Sequence, residues 1–480
     1  MRAIGRPNII FIMLDTLRAD YLRIYSGSLR LPVMEKIANN GVVYDNAIAP
    51  GTYTAPSHAS LFTGMRVKNM GAFSKDMFKN YDTGIDPFVE RVRYLGPKEM
   101  TLATRLHYLG YKTALFSNNP FLSVGTGLAN GFDYVNNIWL NNKVKKSALT
   151  RLELSIVANR RLRNYFINMS YAVSRIVPRQ KLDELYLSLK RRLDAHFAAR
   201  YGFFKLDSGA KKTNREIAKY LHASGDGKKF IFINYMEGHE GYPTNLVGKG
   251  YADIDQEKWL YLTGLADPSN IKIISEAYKK RVAYLDSKVG ELLGTLKSSG
   301  VLENAVVVIA SDHGQAFAEH GLMYHNMFPY QELVHVPLVT ARFVDGKQVR
   351  IRERVGKPVS LSALHQSLLN IGNGAADDVN GNLRADNFVF ADHVGITEFW
   401  DLGLLKKLRS RSRYANGIYE TKKRLNMFAT AVYYQNYKLI VYKNKHAELY
   451  DLKADPEETQ NIISGKKEIA RKMLSAEKAM

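Results

Sequence analysis

The sequence predicts an α/β fold built on a doubly wound sheet, and three observations predict it. Apolar runs at residues 9–14, 230–233 and 305–310 have the length and the Ile, Val and Phe content of strands buried on both faces. Each run delivers ligand-type side chains at its end: Asp15 after the first, His239 after the second, Asp312 and His313 after the third. Doubly wound sheets bind their ligands beyond the carboxyl ends of such strands. Between the runs, residues 31–40, 102–109 and 274–298 carry apolar positions at helical spacing.

Taken in order, Arg2 and Arg6 before the run at 9–14 imitate a secretory leader. The run is short, no small-residue cleavage site follows, and it leads straight into Asp15, so it reads as a strand. The helix at 31–40 ends at Gly41, and residues 42–48 form a short strand. Thr54 then sits where a helix begins, because Pro56 suits a first helical turn and Gly64 is a natural stop. Its hydroxyl would lie beside unpaired N–H groups at the positive end of that helix, where an anion binds. The plain alternative is an N-cap threonine. After the helix at 102–109, residues 111–117 make a strand that ends at Asn118 and Asn119.

The 480 residues suffice for a large core, and the hydrophobic share of 46% is ordinary for a globular chain. Cysteine is absent, which excludes disulfides, thiolate metal sites and a cysteine nucleophile. No stretch approaches the ~20 apolar residues of a membrane span; a soluble, cytoplasmic protein is the expectation. The net charge of +22 is concentrated: residues 143–229 hold 21 Lys and Arg against 7 Asp and Glu. A second basic cluster spans 406–424. Residues 139–223 read as a helical insertion, with helices at 151–164 and 181–200 that carry an apolar stripe under a cationic face. Such faces are either solvated or drawn peripherally to anionic membranes or polysaccharides. No nucleic-acid motif accompanies the charge, so nucleic acid ranks last.

Thr54, Pro56, Ser57, Leu61, Thr63 and Gly64 resemble the signature of the sulfatase family, nucleophile-x-Pro-Ser-Arg-x-x-Leu-x-Thr-Gly, within the alkaline-phosphatase superfamily. Residues 284–286, 305–314, 319–325 and 330–338 look like the second half of its catalytic domain. Residues 357–370 look like a helix near that domain's end, and 437–442 with 448–458 like its small C-terminal subdomain. The resemblance implies a mixed sheet flanked by helices, a catalytic domain over 1–375 with the basic insertion at 139–223, and a C-terminal α+β subdomain over 376–480.

It also implies chemistry. Asp15, Asp312 and His313 would hold one divalent metal together with the Thr54 oxygen. Two carboxylates and one imidazole suit Mn²⁺, Zn²⁺ or Mg²⁺ better than Ca²⁺. His239 and His325 would bind the tetrahedral anion and protonate the leaving oxygen; either histidine taken alone is more often structural. His58 stands where the family has arginine, one turn beyond Thr54, to touch substrate or orient the nucleophile. Asn118 and Asn119 stand where family members grip sulfate with lysine and histidine.

Sulfatases use formylglycine made from Cys or Ser. Threonine cannot yield that aldehyde because its β-carbon carries a methyl group. A phospho-threonine, by contrast, can be displaced in line by water or an acceptor alcohol. The sequence therefore favours a phosphate or phosphodiester substrate, an anionic ester attached to lipid or glycan, over a sulfate ester. Genuine sulfatase activity is the first alternative. The second is a catalytically silent binding protein at anionic membranes or glycans, which would have no need of the ligand set.

Overall fold

The computed structural model describes residues 5–70, 93–138, 206–242, 268–325, 327–379, 387–395 and 427–479, with a few isolated positions between them. Eight principal strands form the large sheet: β1 (Asn8–Leu14), β2 (Val42–Ile48), β3 (Lys112–Ser117), β4 (Tyr134–Asn137), β5 (Lys229–Tyr235), β6 (Asn304–Ala310), β7 (Leu338–Val344) and β8 (Glu353–Ser360). Their order is β8-β2-β7-β6-β1-β5-β3-β4, with two short strands added at β2 and β7. The run from β6 to β4 is parallel. β7 runs antiparallel to both its neighbours, so the sheet is mixed.

Helices cover both faces. α1 (Pro32–Ala38), α4 (Ala210–Ala223) and α5 (Pro268–Ser298) lie on one; α2 (Thr54–Thr63), α3 (Leu102–Tyr108) and α6 (Leu364–Gly372) lie on the other. β1 shows why its sequence is continuously apolar. Ile9, Phe11 and Met13 enter the core beneath α2 and α3, while Ile10, Ile12 and Leu14 enter the core beneath α5. Side chains alternate across a strand, so a strand covered on both faces has no polar side.

Several boundaries differ from the sequence reading. The start of α2 at Thr54 and its stop at Gly64, left-handed at φ 71°, agree with that reading, whereas the N-cap alternative fails because Tyr53 is the N-cap. Residues 357–360 are strand rather than helix, because they pair in parallel with Asn46, Ala47 and Ile48 of β2. Pro358, which lacks an N–H, sits at the register shift in that pairing. α6 begins only at Leu364. α5 starts at Pro268, ahead of the expected residue 274. α4 belongs to the core: Ala210, Thr213, Asn214 and Ile217 are buried, and Asn214 Nδ2 donates to the carbonyl of Lys288 in α5. The helices expected at 151–164 and 181–200, and most of the basic cluster at 406–424, lie outside the described residues.

The C-terminal part is a four-stranded antiparallel sheet, β9 (Val389–His393), β10 (Ala429–Tyr434), β11 (Tyr437–Tyr442) and β12 (Ala447–Asp451), backed by α7 (Lys467–Ala479). Phe390, Val432, Leu439, Leu449 and Met473 fill the layer between them. This unit holds the loop that leaves β6. Glu458 Oε2 accepts from the N–H of Gln331 at 2.6 Å, and Glu458 pairs with the buried Lys438 at 2.7 Å. Among the described residues no helix is long and apolar enough to cross a membrane.

Candidate active site

β6, β1, β5 and β3 are adjacent and parallel, so their carboxyl ends deliver residues to one edge of the sheet. Asp15 follows β1, Asp312 and His313 follow β6, Glu237, His239 and Glu240 follow β5, and Asn118 and Asn119 follow β3. α2 brings Thr54 to the same edge. Asp15, Thr54, Asp312 and His313 are all buried.

His313 Nε2 lies 3.5 Å from Thr54 Oγ1, 3.5 Å from Asp312 Oδ2 and 3.8 Å from Asp15 Oδ1. Ligands on bonds of 2.0–2.2 Å around one ion stand about 3–3.6 Å apart; Thr54 and Asp312 stand within that distance of His313, and Asp15 slightly beyond it. Asp15 Oδ1 and Asp312 Oδ2 have no hydrogen-bond partner. Burial pushes the Asp312 carboxyl up to about 7, and burial together with the neighbouring Asp312 raises that of Asp15. Two buried carboxylates with orphaned oxygens facing one imidazole nitrogen are what a divalent ion would satisfy.

The second oxygens are already engaged. Asp312 Oδ1 accepts from the N–H of His313 at 3.0 Å and of Thr16 at 3.3 Å. Thr16 takes a left-handed φ of 59°, which turns its N–H to that carboxylate. Thr16 thus serves this cluster through a backbone donor.

Asn119 and Asn118 part company. Asn119 Nδ2 donates to Asp15 Oδ2 at 2.9 Å and to Thr54 Oγ1 at 3.1 Å. Asn118 turns the other way, its Oδ1 accepting from Thr213 of α4 at 2.9 Å. His58 is buried behind Thr54. Its Nδ1 lies 2.9 Å from the Thr54 carbonyl and 3.6 Å from Asp312 Oδ2, and its ring packs edge-on against Phe62 and Phe232. Burial pushes its pKa down to about 3, so the ring is neutral and donates to the helix backbone. This placement supports Thr54 and Asp312 rather than a substrate contact.

His239 and His325 stand together, with ring centres 4.8 Å apart, and His325 lies 4.7 Å from His313. Both Nδ1 atoms face Glu240 Oε2, at 3.4 Å from His239 and 2.9 Å from His325. Burial pushes His325 down to about 4 despite that carboxylate. The turn that carries His239 is gripped by Arg281, a fully buried residue of α5. Its guanidinium donates to the carbonyls of Met236, His239 and Gly241 at 3.2–3.3 Å and also to Ser208 Oγ. Glu240 and Gln315 escaped the sequence reading although they adjoin His239 and the Asp-His-Gly triplet. Arg281 gave no signal, since a mid-helix arginine looks solvated.

Fold and site together define an α/β protein of the alkaline-phosphatase-like superfamily, with its functional residues beyond the carboxyl ends of a parallel strand set. Residues 7–371 match the pattern that defines the sulfatase family, and the chain belongs to that family, whose members are hydrolases of sulfate or phosphonate esters. It is 24% identical to an N-acetylglucosamine-6-O-sulfatase of Bacteroides thetaiotaomicron over 97% of this chain and 84% of that protein. It is 36% identical to a choline-sulfatase of Rhizobium meliloti over 70% of this chain and 63% of that protein. In fold it is similar to a phosphonate monoester hydrolase of Silicibacter pomeroyi, with a TM-score of 0.63, 16% identity, and 99% and 94% of the two chains covered.

Proposed function

We propose that this sulfatase-family protein is a metal-dependent hydrolase or transferase of phosphoesters, phosphodiesters above all, with Thr54 as the nucleophile. The observation that supports the reading is the setting of the Thr54 hydroxyl. It stands at the amino end of α2, 3.1 Å from Asn119 Nδ2 and 3.5 Å from His313 Nε2, on a residue that cannot become formylglycine.

A divalent ion held by Asp15, Asp312, His313 and the Thr54 oxygen would lower the hydroxyl pKa and neutralise non-bridging oxygens of the substrate. The donor set suits Mn²⁺, Zn²⁺ or Mg²⁺. Asn119 holds Thr54 Oγ1 in place by a donated hydrogen bond and ties Asp15 to the same point. His58 and the first-turn N–H groups of α2 fix the helix end that presents the nucleophile. His239 and His325 serve the leaving-group side. Transfer to Thr54 releases the first alcohol, and water or a second alcohol then displaces the phosphoryl group from Thr54.

The second reading is sulfate-ester hydrolysis. The two named sulfatase relatives favour it. On Thr54 it would have to break the bond at sulfur.

Intact-mass measurement of enzyme quenched during turnover tests the first reading. An added phosphoryl or phosphodiester group is expected, absent in Thr54→Ala; Thr54→Ala should be inactive and Thr54→Ser partly active. Sulfate esters turned over tenfold faster than phosphodiesters, a barrier difference of about 1.4 kcal/mol, would establish the second reading instead.

A further inference from the structure

We propose that His320 is a positioning residue held as an imidazolium: in that form it clasps the loop after β6 to the C-terminal part, and turnover falls as rising pH undoes the clasp. The clasp rests on geometry. Its effect on turnover rests on the site lying at the carboxyl ends of the strands, not on the Thr54 reading.

Both ring nitrogens of His320 face acceptors. Nδ1 lies 2.9 Å from Glu332 Oε1, and Nε2 lies 3.2 Å from the carbonyl oxygen of Glu458. A neutral imidazole has one N–H and one lone pair, so either tautomer would set a lone pair against an oxygen; the imidazolium donates to both. The ring also lies flat on Tyr330, with centres 3.8 Å apart and 3° between the planes, which favours a cation over the phenol face.

Charge gives an independent argument. The Glu332 side chain is only 5% exposed, and those of Lys438 and Glu458 are fully buried. Lys438 Nζ is taken by Glu458 Oε1 at 2.7 Å, so Glu332 needs a cation of its own, and His320 is the one in contact with it. The other acidic groups nearby are engaged elsewhere. Glu319 pairs with Arg18 at 2.6 Å, Asp455 accepts from the N–H groups of Thr459 and Gln460, and Glu448 Oε2 accepts the hydroxyls of Tyr330, Tyr442 and Tyr450. Burial works against the charged ring, but Glu332 and Glu458 outweigh it and raise the His320 pKa above its usual 6.5.

The contacts also hold a turn that the backbone resists. His320 is left-handed at φ 52°, beside Ala318 at φ 87° and Gly321 at φ 66°. Non-glycine residues keep that conformation only where their surroundings impose it. The grip reaches the site through Glu332. The Gln315 N–H donates to the Glu332 carbonyl and the Gly314 N–H to that of Leu333, each at 2.8 Å, and Gln315 Oε1 lies 3.2 Å from His325 Nδ1. A native pKa above 6.5 means that the clasp is complete below about pH 6.5 and is lost as pH rises through the native value.

The test uses full-length protein labelled with ¹⁵N at histidine, the His320 signal being the one missing from His320→Gln. Both ring nitrogens should read as protonated at pH 6.5, where a free histidine is half ionised. Glu332→Gln should lower the midpoint by about 1–3 units. The ratio of wild-type to His320→Gln kcat/KM should be at least about tenfold below the midpoint and approach one above it. That ratio cancels every other titration the two proteins share. It is read on the faster of bis(4-nitrophenyl) phosphate and 4-nitrophenyl sulfate, so a sulfate preference would defeat the phosphoester reading and leave the clasp standing. If His320→Gln folds poorly, Glu332→Gln supplies both the displaced signal and the ratio. A single neutral tautomer at pH 6.5, or a midpoint that Glu332→Gln leaves in place, overturns the clasp. A ratio that stays constant across the titration overturns its effect on turnover.

Discussion

Asn119 Nδ2 lies 3.1 Å from Thr54 Oγ1 and, through the same nitrogen, 2.9 Å from Asp15 Oδ2. One amide thus joins the end of β3 to the hydroxyl at the head of α2 and the carboxylate after β1. Removing it frees the hydroxyl to rotate, which on the proposed Thr54 chemistry would take it out of the line of attack. Asn119→Ala should lower kcat by about 10–100-fold with little change in KM. Asn119→Asp should be worse, since it deletes both donations and adds a carboxylate facing an anionic substrate. Steady-state kinetics on a phosphodiester decides; an unchanged kcat for Asn119→Ala would remove the residue from the reaction.

Asp15 and Asp312 offer orphaned oxygens to the same point. Asp15→Asn and Asp312→Asn should each lose the ion at that cluster and more than about 100-fold of turnover, since a Lewis acid supplies several kcal/mol. The fold should survive, because the amide keeps an oxygen for the backbone donors to Asp312 and for Asn119 Nδ2 at Asp15. Metal content and circular dichroism on the same samples check both parts. Full activity in either variant would remove that residue from the metal cluster.

Gly238 marks where the turn after β5 passes under Asp15. A Cβ there would come within 2.3 Å of the Asp15 carbonyl oxygen and 2.9 Å of Thr16 Oγ1. Gly238→Ala must therefore part the turn bearing His239 from the end of β1, at a cost of about 1–3 kcal/mol. Activity should fall beyond what lost stability explains at a temperature where the variant is fully folded. Thermal melting and kcat/KM measure the two effects separately.

Glu237 supplies a pH dependence separate from Asp15 and Asp312. Its Oε1 accepts from the N–H groups of Ser208 and Ala210 at 3.0 and 2.9 Å, while its Oε2 is unpaired. Burial pushes the carboxyl up to about 7, against the pull of Arg281. A folded-state pKa above the unfolded value of about 4.5 means the native state holds more protons between those values. Stability from this group is therefore full below about pH 4.5 and declines as pH rises to about 7, by on the order of 1–3 kcal/mol. Glu237→Gln keeps the oxygen for both N–H groups and removes the ionisation. Its melting temperature should gain on wild type from pH 5 to pH 8; a constant difference across that range would show that Glu237 does not titrate there.

What the sequence determined by itself was local. Strands such as β1 and β6 are short apolar runs whose ends can be read directly, so Asp15, Asp312 and His313 were legible as polar residues gathered at strand ends, and Pro56 and Gly64 marked the helix of Thr54. The family motif lies in those same contiguous stretches. What only the tertiary structure decided was which side chains face one another. Asn118 and Asn119 are neighbours with equal chemistry, yet successive residues leaving a strand point to opposite faces. One meets Thr213 of α4 and the other meets Thr54. Arg281 lies 42 residues from the His239 carbonyl it holds, and Glu240 and Gln315 meet across 75. No periodicity records such pairings, because they arise when helix and loop are laid across the sheet edge rather than within any one segment.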